Sequence, residues 1–280
     1  MTENQSQQKT WFIPGCSTGF GREIAKKAIS TGYNVVATAR NPAQIEDLAA
    51  EHQEHVLILQ LDVTDKAQVR ATVQKALEKF GTIDVLVNNA GIGYFSTVEE
   101  SVEEEARRMF EINFWGLMAV TQEVLPHFRS QNSGHIINFS SVGGLAAFPS
   151  VGYYNATKFA VEGISESLSK EVAPLGIHVT LIEPGAFRTD WAGRSANRTQ
   201  TAITAYMETV GPRINRSSGQ EMGNPAKLAE VVIQVAELPN PPLRLLLGKD
   251  AYAVATAKLG DILNDIENWK ETTMGTDFEE

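Results

Sequence analysis

Cysteine is nearly absent: Cys16 is the only one in 280 residues, which excludes an internal disulfide and any metal centre built on several thiolates. Long apolar runs are missing as well, and nothing approaches the ~20 consecutive apolar residues that cross a bilayer. The first ten residues, Met1 to Thr10, are polar and lack the apolar centre of a secretory signal. Positive charge is scarce. Lys and Arg number 24 against 34 Asp and Glu, the formal charge is −10, and no basic run occurs, so a nucleic-acid partner has no electrostatic footprint. An anionic ligand must be held by local positive groups against that field. The histidines show no metal-ligand spacing, and His127 and His135 read as structural or surface residues. These absences lead to the expectation of a cytoplasmic protein with no metal, membrane or nucleic acid among its partners.

Repeats, low-complexity tracts and linkers are lacking too, so the chain reads as one domain. A hydrophobic content of 42% and a charged content of 21% are ordinary for a globular protein. Short β-branched runs alternate with helical patterns. Strands are predicted at 10–14, 34–39, 56–61, 83–88, 135–140, 178–183 and 244–247. Helices are predicted at 21–31, 42–52, 66–80, 102–130, 151–173, 225–238 and 251–270. Runs such as Val-Leu-Ile-Leu-Gln-Leu are apolar nearly throughout rather than alternating, the pattern of parallel strands covered on both faces. The expected fold is α/β, Rossmann-like and doubly wound, with about seven parallel strands between two helical layers. Residues 191–223 break the rhythm and read as a lid insertion over a substrate site. Residues 251–280 read as a C-terminal extension, whose Trp269 and Phe278 either close a pocket or dock on a neighbouring subunit.

Directly after the first strand comes Gly15-Cys16-Ser17-Thr18-Gly19-Phe20-Gly21. Glycines there let the backbone turn sharply against a ligand, and the helix that follows points its free N–H groups outward, an arrangement suited to a pyrophosphate. The alternative is a plain glycine-rich turn. The second strand ends Ala39-Arg40, where an acidic residue would accept the ribose hydroxyls of NAD and repel a 2′-phosphate. Neutral Ala39 beside a permanently charged guanidinium predicts preference for NADP(H), with NAD(H) possible; otherwise Arg40 is a surface arginine.

With those residues in place, the chain resembles the short-chain dehydrogenase/reductase family over nearly everything from Lys9 to Gly248. The family's glycine loop matches Gly15, Gly19 and Gly21. Its Asp-Val, which contacts adenine, matches Asp62 and Val63, although Asp62 also reads as a turn cap. Its Asn-Asn-Ala-Gly matches Asn88, Asn89, Ala90 and Gly91. Its central-helix Asn matches Asn113, its Ser matches Ser141, its Tyr-xxx-Lys matches Tyr154 and Lys158, and its Pro-Gly with following Thr matches Pro184, Gly185 and Thr189. The resemblance implies cofactor contacts by Gly15, Ser17, Thr18, Gly19, Phe20, Gly21, Arg40, Asp62, Val63, Asn89, Ala90, Gly91, Tyr154, Lys158, Pro184, Gly185, Phe187 and Thr189. One departure is Pro14, where the family has Thr. Proline lacks both the hydroxyl and the N–H, which predicts a loosened cofactor loop.

Tyr154 and Lys158 lie four apart in a helical segment and share a face. A phenol with a pKa near 10 is a poor base at neutral pH, and a nearby ammonium is expected to pull that value down. Ser141 at a strand's C-terminal end faces the reacting oxygen from the other side. The resemblance gives Asn113 a water linking Lys158 to solvent, and gives Thr189 and the Phe187 backbone the carboxamide. The expected activity interconverts a ketone or aldehyde and its alcohol, with an apolar small-molecule substrate. Phe95, Leu145, Phe148, Trp191 and Tyr206 read equally as lining for that substrate and as core or subunit contacts. Cys16 reads as a packed side chain. The resemblance further implies a homodimer or homotetramer paired through the helices carrying Asn113 and Tyr154. Two other readings stand beside this one. A redox-sensing regulator binding NADP(H) without turnover has no need of Ser141, Tyr154 and Lys158, and a sugar-nucleotide epimerase needs a longer substrate domain after Thr189.

Overall fold

The computed structural model describes residues 8–193, 195–214 and 219–278. Its strands are β1 (Thr10–Pro14), β2 (Asn34–Ala39), β3 (Val56–Gln60), β4 (Val85–Asn88), β5 (Gly93–Phe95), β6 (Gly134–Phe139), β7 (Ile177–Pro184), β8 (Ala196–Arg198) and β9 (Arg244–Leu247). All but β5 and β8 form one sheet in the order β3-β2-β1-β4-β6-β7-β9, with every pairing parallel. Sequence order runs outward in both directions from β1 and β4, which makes their C-terminal ends the switch point where ligands bind in such sheets.

Period-two alternation divides the core between the two faces. Trp11, Ile13, Val35, Ala37, Val85 and Val87 pack against α1 (Gly19–Thr31) and a later helix contributing Leu228 and Val232. Phe12, Val36, Leu86, Ile136 and Val179 face the other way. They meet Val69 and Val73 of α2 (Lys66–Phe80), then Val120, Val124 and Phe128 of a central helix, and finally Leu168. With both faces covered, apolar residues recur without interruption along each strand.

The central helical stretch comprises α3 (Glu103–Phe110), a π turn over Glu111–Gly116 and α4 (Leu117–Gln131). The remaining helices are α5 (Gly152–Val172), α6 (Met207–Ile214), α7 (Pro225–Ala236), α8 (Lys249–Asn268) and α9 (Lys270–Met274). One predicted helix is absent. Residues 42–52 form two 3₁₀ turns, Pro42–Gln44 and Glu46–Ala49, instead. The segment buries Ile45 and Leu48, and a three-residue spacing suits three residues per turn rather than a continuous α stripe.

Within the insertion, β8 pairs in parallel with β5, and Thr199 N–H donates to the Phe95 carbonyl at 2.9 Å. The Glu100 carboxylate fixes the next stretch by accepting from Ala202 N at 2.6 Å and Ile203 N at 3.0 Å. The described part of the insertion is therefore docked against the rest of the chain and has its own secondary structure. Residues 194 and 215–218 of it, like most of the polar leader and the last two residues of the C-terminal extension, lie outside the described residues. No helix among the described residues is long and apolar enough to cross a membrane. Trp269 and Phe278 are exposed.

His135 sits buried between β6 and β7 with Nε2 2.9 Å from Thr180 Oγ1. Burial pushes its pKa down to about 3, and the charges of His178 and Lys9 act in the same direction. The folded state thus holds it neutral while the unfolded chain protonates it below 6.5. Its stabilisation is present above that value and is lost as pH falls toward 3. Denaturant unfolding of His135→Gln across this window is expected to show a shallower loss of stability than the parent, by up to about 1.4 kcal/mol per pH unit.

Candidate active site

At the switch point the strand ends open into one cleft of about 650 Å³. One end is built on the loop after β1. Gly15 adopts φ +82° and Gly19 φ +60°, conformations that side chains rarely tolerate. Gly15 N–H and Cys16 N–H both donate to the Thr38 carbonyl, at 3.0 and 2.8 Å. Asn89 Nδ2 donates to the carbonyls of Gly15 at 3.0 Å and Pro14 at 3.3 Å. The loop after Pro14 is thus fastened from two neighbouring strands, without using either group that proline lacks. A methyl on Gly21 would collide with Asn89 and lie 2.5 Å from the Gly15 carbonyl. Gly21 is therefore required for packing behind the loop, outside the cleft lining.

Thr18, the N-cap of α1, makes no side-chain capping bond, so the first-turn N–H groups receive no acceptor from it. They open beside Ser17, Thr18, Gly19 and Phe20, all of which line the cleft. An open helix N-terminus beneath a close-approach glycine loop fits a pyrophosphate. Along the same wall lie Arg40, Asp62, Val63, Asn89, Ala90 and Gly91. Asp62 caps a turn, its Oδ1 accepting from Thr64 N at 3.0 Å and Thr64 Oγ1 at 2.7 Å, and the residue also lines the cleft. Cys16 is buried, donates to the Ile13 carbonyl and has its thiol pushed up to about 12 by burial, which makes it an inert packed group.

Ser141, Tyr154, Lys158, Pro184, Gly185, Phe187 and Thr189 line the same cleft, with the Phe187 ring 5.3 Å from that of Phe20 on the glycine loop. Ser141 follows β6, where its Oγ accepts from Gly143 N at 3.0 Å. Lys158, buried one turn after Tyr154 on α5, donates from Nζ to the Phe139 carbonyl at 2.7 Å and lies 5.7 Å from the Tyr154 ring centre. Burial lowers the Lys158 pKa to about 8, opposed by the charge of Glu162. Burial raises Tyr154 to about 12, opposed by a hydrogen bond with Ser141. The expected lowering of the Tyr154 pKa by Lys158 is therefore not met in the free protein. Enclosure by protein penalises phenolate and ammonium alike.

Asn113 stands behind the cleft wall, inside the π turn. Its Oδ1 accepts from Ile92 N at 2.8 Å, and its Nδ2 donates to the Ile92 carbonyl at 2.9 Å and to Thr157 Oγ1 at 3.2 Å. Its amide locks the loop after β4 to α5. Of the apolar candidates, Phe95, Phe148 and Trp191 line the cleft, with the Trp191 ring 4.8 Å from that of Tyr154. Leu145 and Tyr206 do not line it. Tyr206 donates its hydroxyl to Glu99 at 2.5 Å, which turns it onto the rim, and Leu145 follows the short 3₁₀ turn Val142–Gly144 into a half-buried position off the wall.

Other important residues lie outside the sequence motifs. Asp250, on α8, accepts from Ala186 N at 2.7 Å and supports the Pro184-Gly185 turn so closely that a methyl on Gly185 would strike it. Behind Lys158, Glu162 and Glu183 are buried, and the more exposed Arg244 reaches them with its Nε 3.0 Å from Glu162 and 3.6 Å from Glu183. Burial and the neighbouring Glu162 charge push Glu183 up to about 8. A helix-spacing argument links Glu162 to Lys158, but only the strand pairing brings Glu183 and Arg244 to the same place.

A family model described as short chain dehydrogenase matches residues 9–200. The chain belongs to the short-chain dehydrogenase family. An oxidoreductase named BOA17 from Botryotinia fuckeliana is 41% identical over 273 residues, covering 96% of this chain and 99% of that protein. A crystal structure of a short-chain dehydrogenase from Streptomyces avermitilis aligns with TM-score 0.92 at 38% identity, over 98% of this chain and all of that one. Another, from Burkholderia phymatum in complex with NAD, aligns with TM-score 0.78 at 26% identity, over 92% and 95% of the two chains. This short-chain dehydrogenase is accordingly an oxidoreductase of a fold that accepts a nicotinamide dinucleotide.

Gly21→Ala tests the loop packing. It is expected to weaken nicotinamide dinucleotide binding by more than tenfold in calorimetry and to lower Tm, because the obstructing Gly15 carbonyl is backbone and cannot step aside.

Proposed function

We propose that the protein is an NADP(H)-dependent carbonyl reductase or alcohol dehydrogenase in which Tyr154 is the acid and base. The observation that carries this reading is the convergence of Ser141, Tyr154 and Lys158 on one cleft that the glycine loop after β1 also lines. The bound cofactor supplies or accepts the hydride. The Ser141 hydroxyl and the Tyr154 hydroxyl donate to the substrate oxygen and hold its carbon in place. With a pKa near 12, Tyr154 is fully protonated at neutral pH, the state required to give its proton to an oxygen that gains negative charge. Lys158, anchored on the Phe139 carbonyl, is held where its ammonium favours the phenolate left behind. In the reverse direction the same pair removes the proton from an alcohol.

Pro184, Gly185, Phe187 and Thr189, braced by Asp250, would hold the carboxamide end of the dinucleotide. The family accommodates NAD, and what favours NADP(H) here is Arg40. It is exposed at the cleft edge beside Ala39, where no carboxylate follows β2 to repel a 2′-phosphate. Trp191, Phe95 and Phe148 give the substrate end an apolar lining. A regulator that only binds the dinucleotide has no use for the buried Lys158 anchor or the Ser141–Tyr154 contact. The arrangement supports a protein that works on small carbonyl or alcohol substrates.

Two variants separate the parts of this reading. Tyr154→Phe is expected to abolish turnover of ketones and aldehydes while dissociation constants for NADPH change less than about threefold, because one hydroxyl among many contacts is lost. Retention of a substantial rate removes the acid–base assignment. Arg40→Ala is expected to cost NADPH affinity about tenfold or more and leave NADH nearly unchanged, as for loss of a charge-assisted phosphate contact. An equal loss for both cofactors contradicts the preference.

A further inference from the structure

Directly behind Lys158 lies a cluster of charged groups to which the reaction assigns no part. Glu162, one turn after Lys158 on α5, and Glu183, near the end of β7, are only 5% and 1% exposed. Both converge on the Nε of Arg244 on β9, at 3.0 and 3.6 Å, so the two carboxyl groups meet at a single donor. The other arm of that guanidinium is engaged with the half-exposed Glu166, Nη2 to Oε2 at 2.8 Å. Gly144 lets the cluster approach the cleft closely. A methyl on it would lie 3.0 Å from Glu162 Cγ, 3.2 Å from the Lys158 carbonyl and 2.6 Å from Ser140 Oγ. Ser140 itself stands between Phe139, the anchor of Lys158, and Ser141.

Two ionised carboxylates cannot both be satisfied here. With both charged, Glu162 Oε1 and Glu183 Oε1 are buried oxygens without a hydrogen-bond donor, and burying a charged acceptor unpaired is costly. A proton on one carboxyl, donated to the other, removes one charge and gives the facing oxygen its donor, as for carboxyl groups that share a site. Burial and the Glu162 charge push Glu183 up to about 8, which agrees with a proton retained at neutral pH. The charges then balance, Lys158 and Arg244 against Glu162 and Glu166. The Glu162 charge favours the Lys158 ammonium against its burial. Of the other elements packed on α5, the end of β6 presents uncharged Phe139 and Ser140, and the π turn presents Asn113 to Thr157. Asp250, at the start of α8, is engaged with Ala186 N.

We propose that Glu162 and Glu183 are positioning residues that hold one proton between them behind Lys158, and that the single negative charge left on the pair keeps the Lys158 ammonium charged. As pH rises, loss of the shared proton adds a second negative charge beside the ammonium, which then holds its own proton more firmly. The effect on rate rests on the oxidoreductase reading above, whereas the shared proton and the charge of Lys158 do not.

The test follows the full chain, without cofactor, through a pH titration by carbon NMR with labels at glutamate Cδ and lysine Cε. One glutamate carboxyl is expected to be still protonated at neutral pH and to ionise on the alkaline side. Glu162→Gln and Glu183→Gln are each expected to abolish that signal, because the remaining carboxyl has Arg244 Nε to itself and ionises in the ordinary acidic range. The Lys158 signal is assigned by its loss in Lys158→Met. In the double variant it is expected to titrate about one pH unit or more lower than in the parent, as for removal of a neighbouring opposite charge. A parent with no glutamate protonated at neutral pH overturns the proposal before any variant is made. So does a protonated signal that survives both single replacements, or a Lys158 titration that the double variant leaves in place. The pH profile of kcat/KM for ketone reduction with NADPH separates this from the reaction itself. Its alkaline limb is expected to move down with Lys158 in the double variant. A limb that stays while the Lys158 titration moves contradicts the catalytic part given to Lys158 and leaves the carboxyl pair intact. A lower rate with the Lys158 titration unmoved overturns the pair and leaves the oxidoreductase reading standing.

Discussion

The contact between the Lys158 ammonium and the carbonyl of Phe139 is the constraint around which this cleft is organised. Phe139 is the last residue of β6, and its carbonyl faces out of the sheet because the strand ends there. Burying an ammonium without a partner costs several kcal/mol, so α5 has few other ways to lie across the end of the strand. Once it lies there, Tyr154 one turn earlier must face the same opening. Ser141, two residues after Phe139, must face it from the sheet side. The positions of all three groups follow from one strand ending and one buried charge.

The same economy governs the other loops at the switch point. Side-chain amides do the work that backbone pairing does within the sheet. Asn89 ties the end of β4 to the glycine loop after β1, and Asn113 pairs with both main-chain groups of Ile92 like a short strand. That second pairing comes from a π turn, in which one extra residue re-aims a side chain without ending the helix. Gly116 closes the same turn against Val63, where a methyl would collide. Rigidity at this cleft thus comes from a few side-chain amides hydrogen-bonded to backbone, which leave little freedom for the loops to open.

Much of this was legible in the sequence, and the divide has a physical origin. β1, β2 and β9 begin and end where their apolar runs do, and α2 spans its predicted bounds, because Asp65 caps one end and Gly81 terminates the other in the left-handed conformation. The glycine loop and the Tyr154–Lys158 pair were readable because turn geometry and helical spacing are local. What the sequence hid is non-local or short. β5 and β8 have three residues each and no periodicity to detect. The π turn leaves the helical pattern of 102–130 unbroken. Glu183 and Arg244 look like ordinary strand-end charges until β7 and β9 pair and carry them to Glu162. Asp250 sits in an unremarkable helix start far from the turn that it braces. The protonation state of Tyr154 was also out of reach, since spacing reports which charges are near but not how thoroughly protein encloses them.

The enclosure makes the central claim measurable: Tyr154 stays protonated in the free protein and becomes easier to ionise only when the oxidised dinucleotide, with its cationic ring, occupies the cleft beside it. The direct measurement is the near-ultraviolet tyrosinate absorbance of the parent protein minus that of Tyr154→Phe, titrated with pH in the absence and presence of saturating NADP⁺. The account predicts no difference signal through the ordinary tyrosine value of 10.0 in the free protein, and a signal at distinctly lower pH with the dinucleotide bound. A free-protein signal at or below the ordinary value, or a titration that the dinucleotide leaves in place, contradicts it.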